Sequence, residues 1–156
     1  MALRFVAFRA WPAVLMLALL HPAPCGAADD ADPGKAVPIE VRDAWIRWLP
    51  ANVPDAGYMT LTNTGSNIEV LSSASSVDFG EVGIHQTHDD MGMSGMMPVK
   101  SITIQPHATV RFVAGGYHLM LMQPKRPLHP GDTVQIVLHF ANGGTATVQF
   151  PIRAGN

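Results

Sequence analysis

Four side chains with soft or borderline donor atoms fall at fixed intervals in the second half of this 156-residue chain: His85, ten intervening residues, Met96, twenty-one intervening residues, His118, one residue, and Met120. The stretch from His88 to Val99, HDDMGMSGMMPV, holds Met91, Met93, Met96 and Met97, four of the chain's nine methionines. Methionine outside a core gains nothing from burial, so this density asks for a reason, either a protein-binding surface or a soft metal. Two imidazoles and two thioethers, with no thiolate, suit Cu(I), a soft d¹⁰ ion that accepts thioether sulfur and makes no strong geometric demand. Cu(II) prefers nitrogen and oxygen in tetragonal arrays, and Zn(II) wants cysteine or carboxylate beside histidine. Softness does not choose among the four clustered methionines.

The elements that would position these donors are strands. Side chains of a strand alternate between faces, so in GGYHLMLM, residues 115–122, His118, Met120 and Met122 share one face while Tyr117, Leu119 and Leu121 share the other. The Leu and Tyr face has a plain role in a core; a His and Met face is unusual for packing alone. His85 closes a strand-like run, EVGIH, in which Ile84 points the opposite way, so His85 is expected opposite the buried side. Met96 is expected in the loop that follows, loosened by Gly92 and Gly95 and bounded by Pro98. Met97 and Met122 stand beside the four as outer or spare donors. His88, Met91 and Met93 form a candidate auxiliary cluster or else a solvated loop. His107, His129 and His139 have no ligand-like spacing to another donor and are read as ordinary surface or strand-end histidines.

Short apolar runs separated by turn residues continue through the chain. Strands are expected at 39–48, 56–63, 68–75, 80–87, 95–99, 101–104, 108–112, 118–122, 133–140 and 145–152. Asn63-Thr-Gly-Ser66 and Pro130-Gly-Asp132 punctuate them, and Asn142-Gly143-Gly144 reads as the turn of a hairpin. No helical period is sustained. The pattern predicts an all-β sandwich or barrel.

The first 27 residues have the form of a secretory signal: Arg4 and Arg9, an apolar run over 11–20 too short to span a bilayer, then small residues before a cleavage site near Ala27 or Ala28. Residues 28–38 read as a flexible leader and 39–154 as one domain. Acylation at Cys25 is the rival to simple cleavage, disfavoured by Pro24 before it. Removing residues 1–27 takes away two arginines and no acid, so a formal net charge of −2 becomes −4. That mild acidity argues against a nucleic-acid partner. The only cysteine leaves with the signal, which excludes a blue-copper site, since that site needs a thiolate. The serines at 72, 73, 75 and 76 lack any nucleophile-elbow signature.

The spacing His85, Met96, His118, Met120 resembles the ligand signature of the PCuAC family of periplasmic copper chaperones. The likeness extends to Ala44-Trp45, AGYMTLTNTG at 56–65, Met97-Pro98-Val99 and GGYHLMLM, and covers about residues 37–153. The resemblance selects Met96 from its neighbours. It implies a cupredoxin-like β-sandwich of Greek-key type, one Cu(I) per chain at a shallow site, and no enzymatic activity. It further implies a monomer in the periplasm that carries copper to the copper subunit of respiratory cytochrome oxidase, alongside a Sco-type thioredoxin-like protein. A copper-buffering or resistance protein that sequesters Cu(I) is the alternative. Many members have Met after the first His, where this chain has Gln86, and some carry a His- and Met-rich C-terminal extension that binds Cu(II). This chain has none, which leaves Cu(II) binding open.

Overall fold

The computed structural model describes residues 36–50, 53–90 and 93–155. Ten strands run in chain order: β1 Ile39–Trp48, β2 Asp55–Asn63, β3 Glu69–Ser75, β4 Phe79–Asp90, β5 Met93–Pro98, β6 Ile102–Ile104, β7 Thr109–Phe112, β8 Tyr117–Pro124, β9 Thr133–Phe140 and β10 Thr145–Ala154. All ten expected strands form. Alternation is the reason, and β9 shows it plainly: Val134, Ile136, Leu138 and Phe140 are buried, and the residues between them are not. The predicted hairpin turn joins β9 to β10. Gly143 adopts φ +79° there, a conformation that favours glycine, and the Asn142 side chain accepts the Gly144 N–H at 2.9 Å.

The strand order is β5-β4-β8-β7-β2-β1-β10-β9-β3-β6, with β8 also pairing β2. This is a cupredoxin-like β-sandwich in which β10 passes from one layer to the other. Its first part pairs antiparallel with β9 up to Pro151, and its last residues pair parallel with β1 from Ile152. Backbone bonds to the β9 side persist one residue past Pro151, the Ile152 N–H donating to the Asp132 carbonyl at 2.8 Å. Between the layers lies a core that includes Ile46, Leu61, Phe112, Leu119, Leu121 and Phe150, each no more than 1% exposed.

An irregularity in β1 decides what its outer face carries. Arg42 pairs with Thr60, but the next aligned pair is Trp45 with Tyr58, so β1 holds one extra residue over that interval. Asp43, at φ +53°, sits at this bulge. A one-residue shift exchanges the faces of every later side chain. Ile46 therefore enters the core, while Trp45 and Arg47 join the outer face of the β2 layer.

The signal region at 1–27, and most of the expected leader, lie outside the described residues. The last three leader residues are docked rather than free: Ala36 bridges Thr145, Val37 packs against the core, and Thr64 N–H bonds the Pro38 carbonyl at 2.8 Å.

Candidate metal centre

Registers place the His and Met side chains in adjoining rows on the outer face of one layer. β4 and β8 are antiparallel, with His85 directly opposite His118 and Gly83 opposite Met120. β4 and β5 are antiparallel, with His85 opposite Pro98 and Thr87 opposite Met96. Residues opposite one another share a face, so His85, His118, Met96 and Met120 all lie on the same side, Met96 and Met120 diagonal to the histidine pair from either end. The inner face of the same strands supplies Ile84, Leu119 and Leu121 to the core.

Of the two expectations for Met96, a loop or the short strand at 95–99, the strand is the one that forms: Met96 stands on β5 and is 62% exposed. β4 and β5 extend as a hairpin arm whose ladder is made by backbone bonds, so the glycines and polar residues that suggested a loop do not prevent pairing. Register also separates neighbouring methionines. Met97 lies opposite Gln86, on the other face from the histidines, and is 61% exposed. It does not stand beside the set as a spare donor. Met122 shares the face of Met120 and lies opposite Glu81. His88 is opposite Gly95 on the Met97 face and exposed. Of the auxiliary cluster, Met91 lies outside the described residues. His107 and His129 are exposed, and His139 bonds Ser75 Oγ at 2.8 Å.

The two imidazoles are prepared for a ligand that is absent from the chain itself. His118 is 5% exposed, and its Nδ1 lies 3.2 Å from the Gly116 carbonyl oxygen, which can only accept. Nδ1–H therefore donates, and the tautomer leaves the Nε2 lone pair free. That Nε2 is buried without a partner, and so is Nδ1 of His85. A buried nitrogen left unsatisfied costs about 1–3 kcal/mol, so two side by side on adjacent strands point to an acceptor of lone pairs between them. The ring centroids are 6.0 Å apart. A metal about 2 Å from each coordinating nitrogen lies about 3 Å from each ring centre, so rings this far apart are within reach of one shared ion. Among the described residues no three His, Cys, Asp or Glu side chains cluster as a metal site, so thioethers are the donors at hand to complete this pair.

Glycine at position 83 makes room for the His85 ring. A Cβ built there would stand 2.8 Å from His85 Nε2 and 3.1 Å from its Cδ2. The imidazole thus lies back over Gly83, toward the row occupied by Met120. No repeat or motif marks this glycine in the sequence. Beside the donors, Met96, His118 and Met120 form one wall of an open hollow of about 470 Å³ that also includes Val53, Pro54 and Ala114.

Burial, then the neighbouring His118, holds the His85 imidazole below the ordinary histidine value of 6.5, with Glu81 pulling weakly the other way. A proton and a metal compete for the same lone pair, so a lowered value lets metal win to lower pH. The His85 share of this proton competition is expected to set in only below pH 6.5, read as the difference in pH dependence between the wild type and His85→Ala in competition titrations. In the apo protein the unfolded state binds the extra proton first as pH falls below 6.5. Its stability therefore decreases with falling pH from that point down to the folded value, and is unaffected by this group above it.

Comparison with known proteins identifies the family and the fold. The LpqE-like family model matches residues 39–152. "Putative lipoprotein Lxx21020" of Leifsonia xyli subsp. xyli is 31% identical over 123 residues, covering 78% of this chain and 74% of that protein. Among solved structures, the Cu(I) form of DR1885 from Deinococcus radiodurans is 33% identical, with a TM-score of 0.62 over 76% of this chain and 80% of that one. The copper-bound PCuAC domain of PmoF2 is 22% identical with a TM-score of 0.64, covering 78% of this chain and 98% of the domain, and shares the fold.

Proposed function

The chain belongs to the LpqE-like family, which is of PCuAC type, and on that premise we propose that it is an exported Cu(I)-binding metallochaperone. His85, Met96, His118 and Met120 are its ligands, with one ion per chain as cargo. The observation that supports this most is that His85 and His118, directly opposite one another on β4 and β8, each hold a buried, unpartnered imidazole nitrogen, with a methionine diagonal to each side. The donor set is neutral, so one Cu(I) brings a single positive charge that nothing in the set must balance by losing a proton. Thioether ligands do not titrate, and Met96 stands on an exposed edge strand where an incoming ligand can replace it. Such a site is suited to bind an ion and hand it over.

Delivery to the copper subunit of a respiratory cytochrome oxidase, with a Sco-type protein as co-worker, is the transfer that best fits this reading. Storage is the competing role. Loading the protein with one equivalent of Cu(I) and mixing it with the apo copper domain of the oxidase separates them. Delivery predicts stoichiometric handover seen by mass spectrometry, and retention of the copper would contradict it. Export fits the signal-like residues 1–27 and the lipoprotein designation of the Leifsonia relative. The mass of the mature protein distinguishes cleavage near Ala27 from acylation at Cys25.

A further inference from the structure

The described residues include five arginines, and their pairing is uneven. Arg42 bonds Glu40 at 2.8 Å, and Arg126 bonds Asp78 at 2.6 Å and lies 3.7 Å from Asp132. Arg47, Arg111 and Arg153 form no ion pair among the described residues. Register puts all three on one face. Met120 is opposite Ala56, Ala56 is opposite Arg47, and Arg47 is opposite Arg153, so a single row crosses β8, β2, β1 and β10. Arg111 is opposite Thr60, two residues along β2 from Tyr58, on that same outer face. The β1 bulge is what brings Arg47 and Trp45 out to it.

These arginines surround an aromatic hollow. Trp45 and Tyr58 stand 5.0 Å apart between ring centroids, and the Arg153 guanidinium lies 5.5 Å above the Trp45 ring. Arg47, Arg111 and Val113 border the hollow, with Asp43 as its one acid. Three guanidinium groups against one carboxylate leave a local excess of positive charge in a chain whose net charge is negative. Adjacent strands are about 4.8 Å apart, so this patch begins about 10 Å from Met120, within the span of a standard interface of about 800 Å² per partner. Arginine and aromatic residues are the types enriched where interfaces carry their energy.

We propose that this face docks an acidic partner protein, holding it so that its copper acceptor faces Met96 and Met120; the proposal rests on the copper-transfer reading for what is exchanged, but not for the docking. Guanidinium groups fit the paired oxygens of Asp and Glu side chains, and opposite charge speeds encounter more than it raises affinity. The cationic patch selects the partner and its approach, while the soft ligands exchange the ion.

Two synthetic acceptor peptides test it, each with the same Cu(I)-binding core of histidine and methionine, one flanked by Glu and the other by Lys. Transfer from the Cu(I)-loaded protein is expected to be about tenfold or more faster to the Glu-flanked peptide at low salt, the difference shrinking as ionic strength rises. The Arg111→Gln, Arg153→Gln variant should lose that preference while keeping its Cu(I) affinity, and Arg111→Glu, Arg153→Glu should reverse it. A preference unchanged in the variants, or faster transfer to the Lys-flanked peptide, would overturn the proposal. Docking is also read without copper, from the NMR signal of the Trp45 indole in the apo protein. A shift with the Glu-flanked peptide that the variant loses upholds the patch even if the protein fails to hold Cu(I), and no shift overturns it. Vesicles of phosphatidylglycerol and phosphatidylcholine form a last arm: arginine-dependent binding to them, without any peptide preference, would replace the acidic protein by a membrane surface.

Discussion

Replacing His118 with alanine will lower Cu(I) affinity by about 100-fold or more while leaving the β-sandwich folded. The residue contributes a lone pair held in one tautomer by its Nδ1–H bond to Gly116, and that lone pair is already stripped of water. Loss of an outer hydrogen-bond partner to a metal ligand costs 10–100-fold, so loss of the ligand itself costs at least that range. The fold is expected to persist because the core contacts of β8 are made by Leu119 and Leu121, which point the other way and are no more than 1% exposed. Removing an unsatisfied buried nitrogen also relieves a cost in the apo state, which offsets part of the lost packing. A competing-chelator titration reads the affinity, and circular dichroism with thermal unfolding reads the fold. Wild-type affinity in the variant would remove His118 from the site. The pair Met96→Ala and Met120→Ala is expected to act in the same direction, since it leaves the two imidazoles without sulfur.

Gly83→Ala has opposite expected effects on the site and on the fold. The added methyl would occupy the place of the His85 ring, 2.8 Å from its Nε2. The ring is the far end of a side chain and can turn away at little cost, but it then leaves the row it shares with Met120. Cu(I) affinity is expected to fall about 10–100-fold, as for other groups that orient a ligand. Stability of the apo protein should hold or rise by up to about 1 kcal/mol, because alanine loses less backbone freedom than glycine on folding. Denaturant unfolding and copper titration on the same sample separate the two. In a His85→Ala background the second substitution should cost no further affinity. A Gly83→Ala protein that binds Cu(I) as tightly as wild type would show that the ring position over Gly83 plays no part in binding.

Much of this was readable from alternation. Leu119 and Leu121 had to face a core, and His118 and Met120 therefore had to face away from it; both sides are as expected. The ten strands follow from the same rule because most have a buried face. Where no face is buried the rule has nothing to report. Residues 95–98 of β5 are such a case: all are exposed and carry no apolar period, so both a short strand and a loop were open for Met96, and backbone pairing decides for the strand. Donor softness alone could not choose Met96 over Met97; the family spacing made that choice, and the β4–β5 register, which composition does not encode, puts Met96 on the face of the histidines. The β1 bulge was equally hidden. One added residue at Asp43 leaves a strand that still looks apolar and β-forming, yet it changes which of Trp45, Ile46 and Arg47 reaches solvent. The role of Gly83 was invisible because it concerns space above a backbone atom, filled by a side chain two residues away.

The proposed site is a neutral set of two nitrogens and two thioether sulfurs, and counting its donors is the most direct test. X-ray absorption at the copper edge of the protein loaded with one equivalent of Cu(I) is predicted to show two imidazole nitrogens and two sulfurs. The sulfur contribution should vanish in the Met96→Ala, Met120→Ala protein. A spectrum from the wild type with nitrogen and oxygen alone, or with sulfur that survives loss of both methionines, would contradict the assignment.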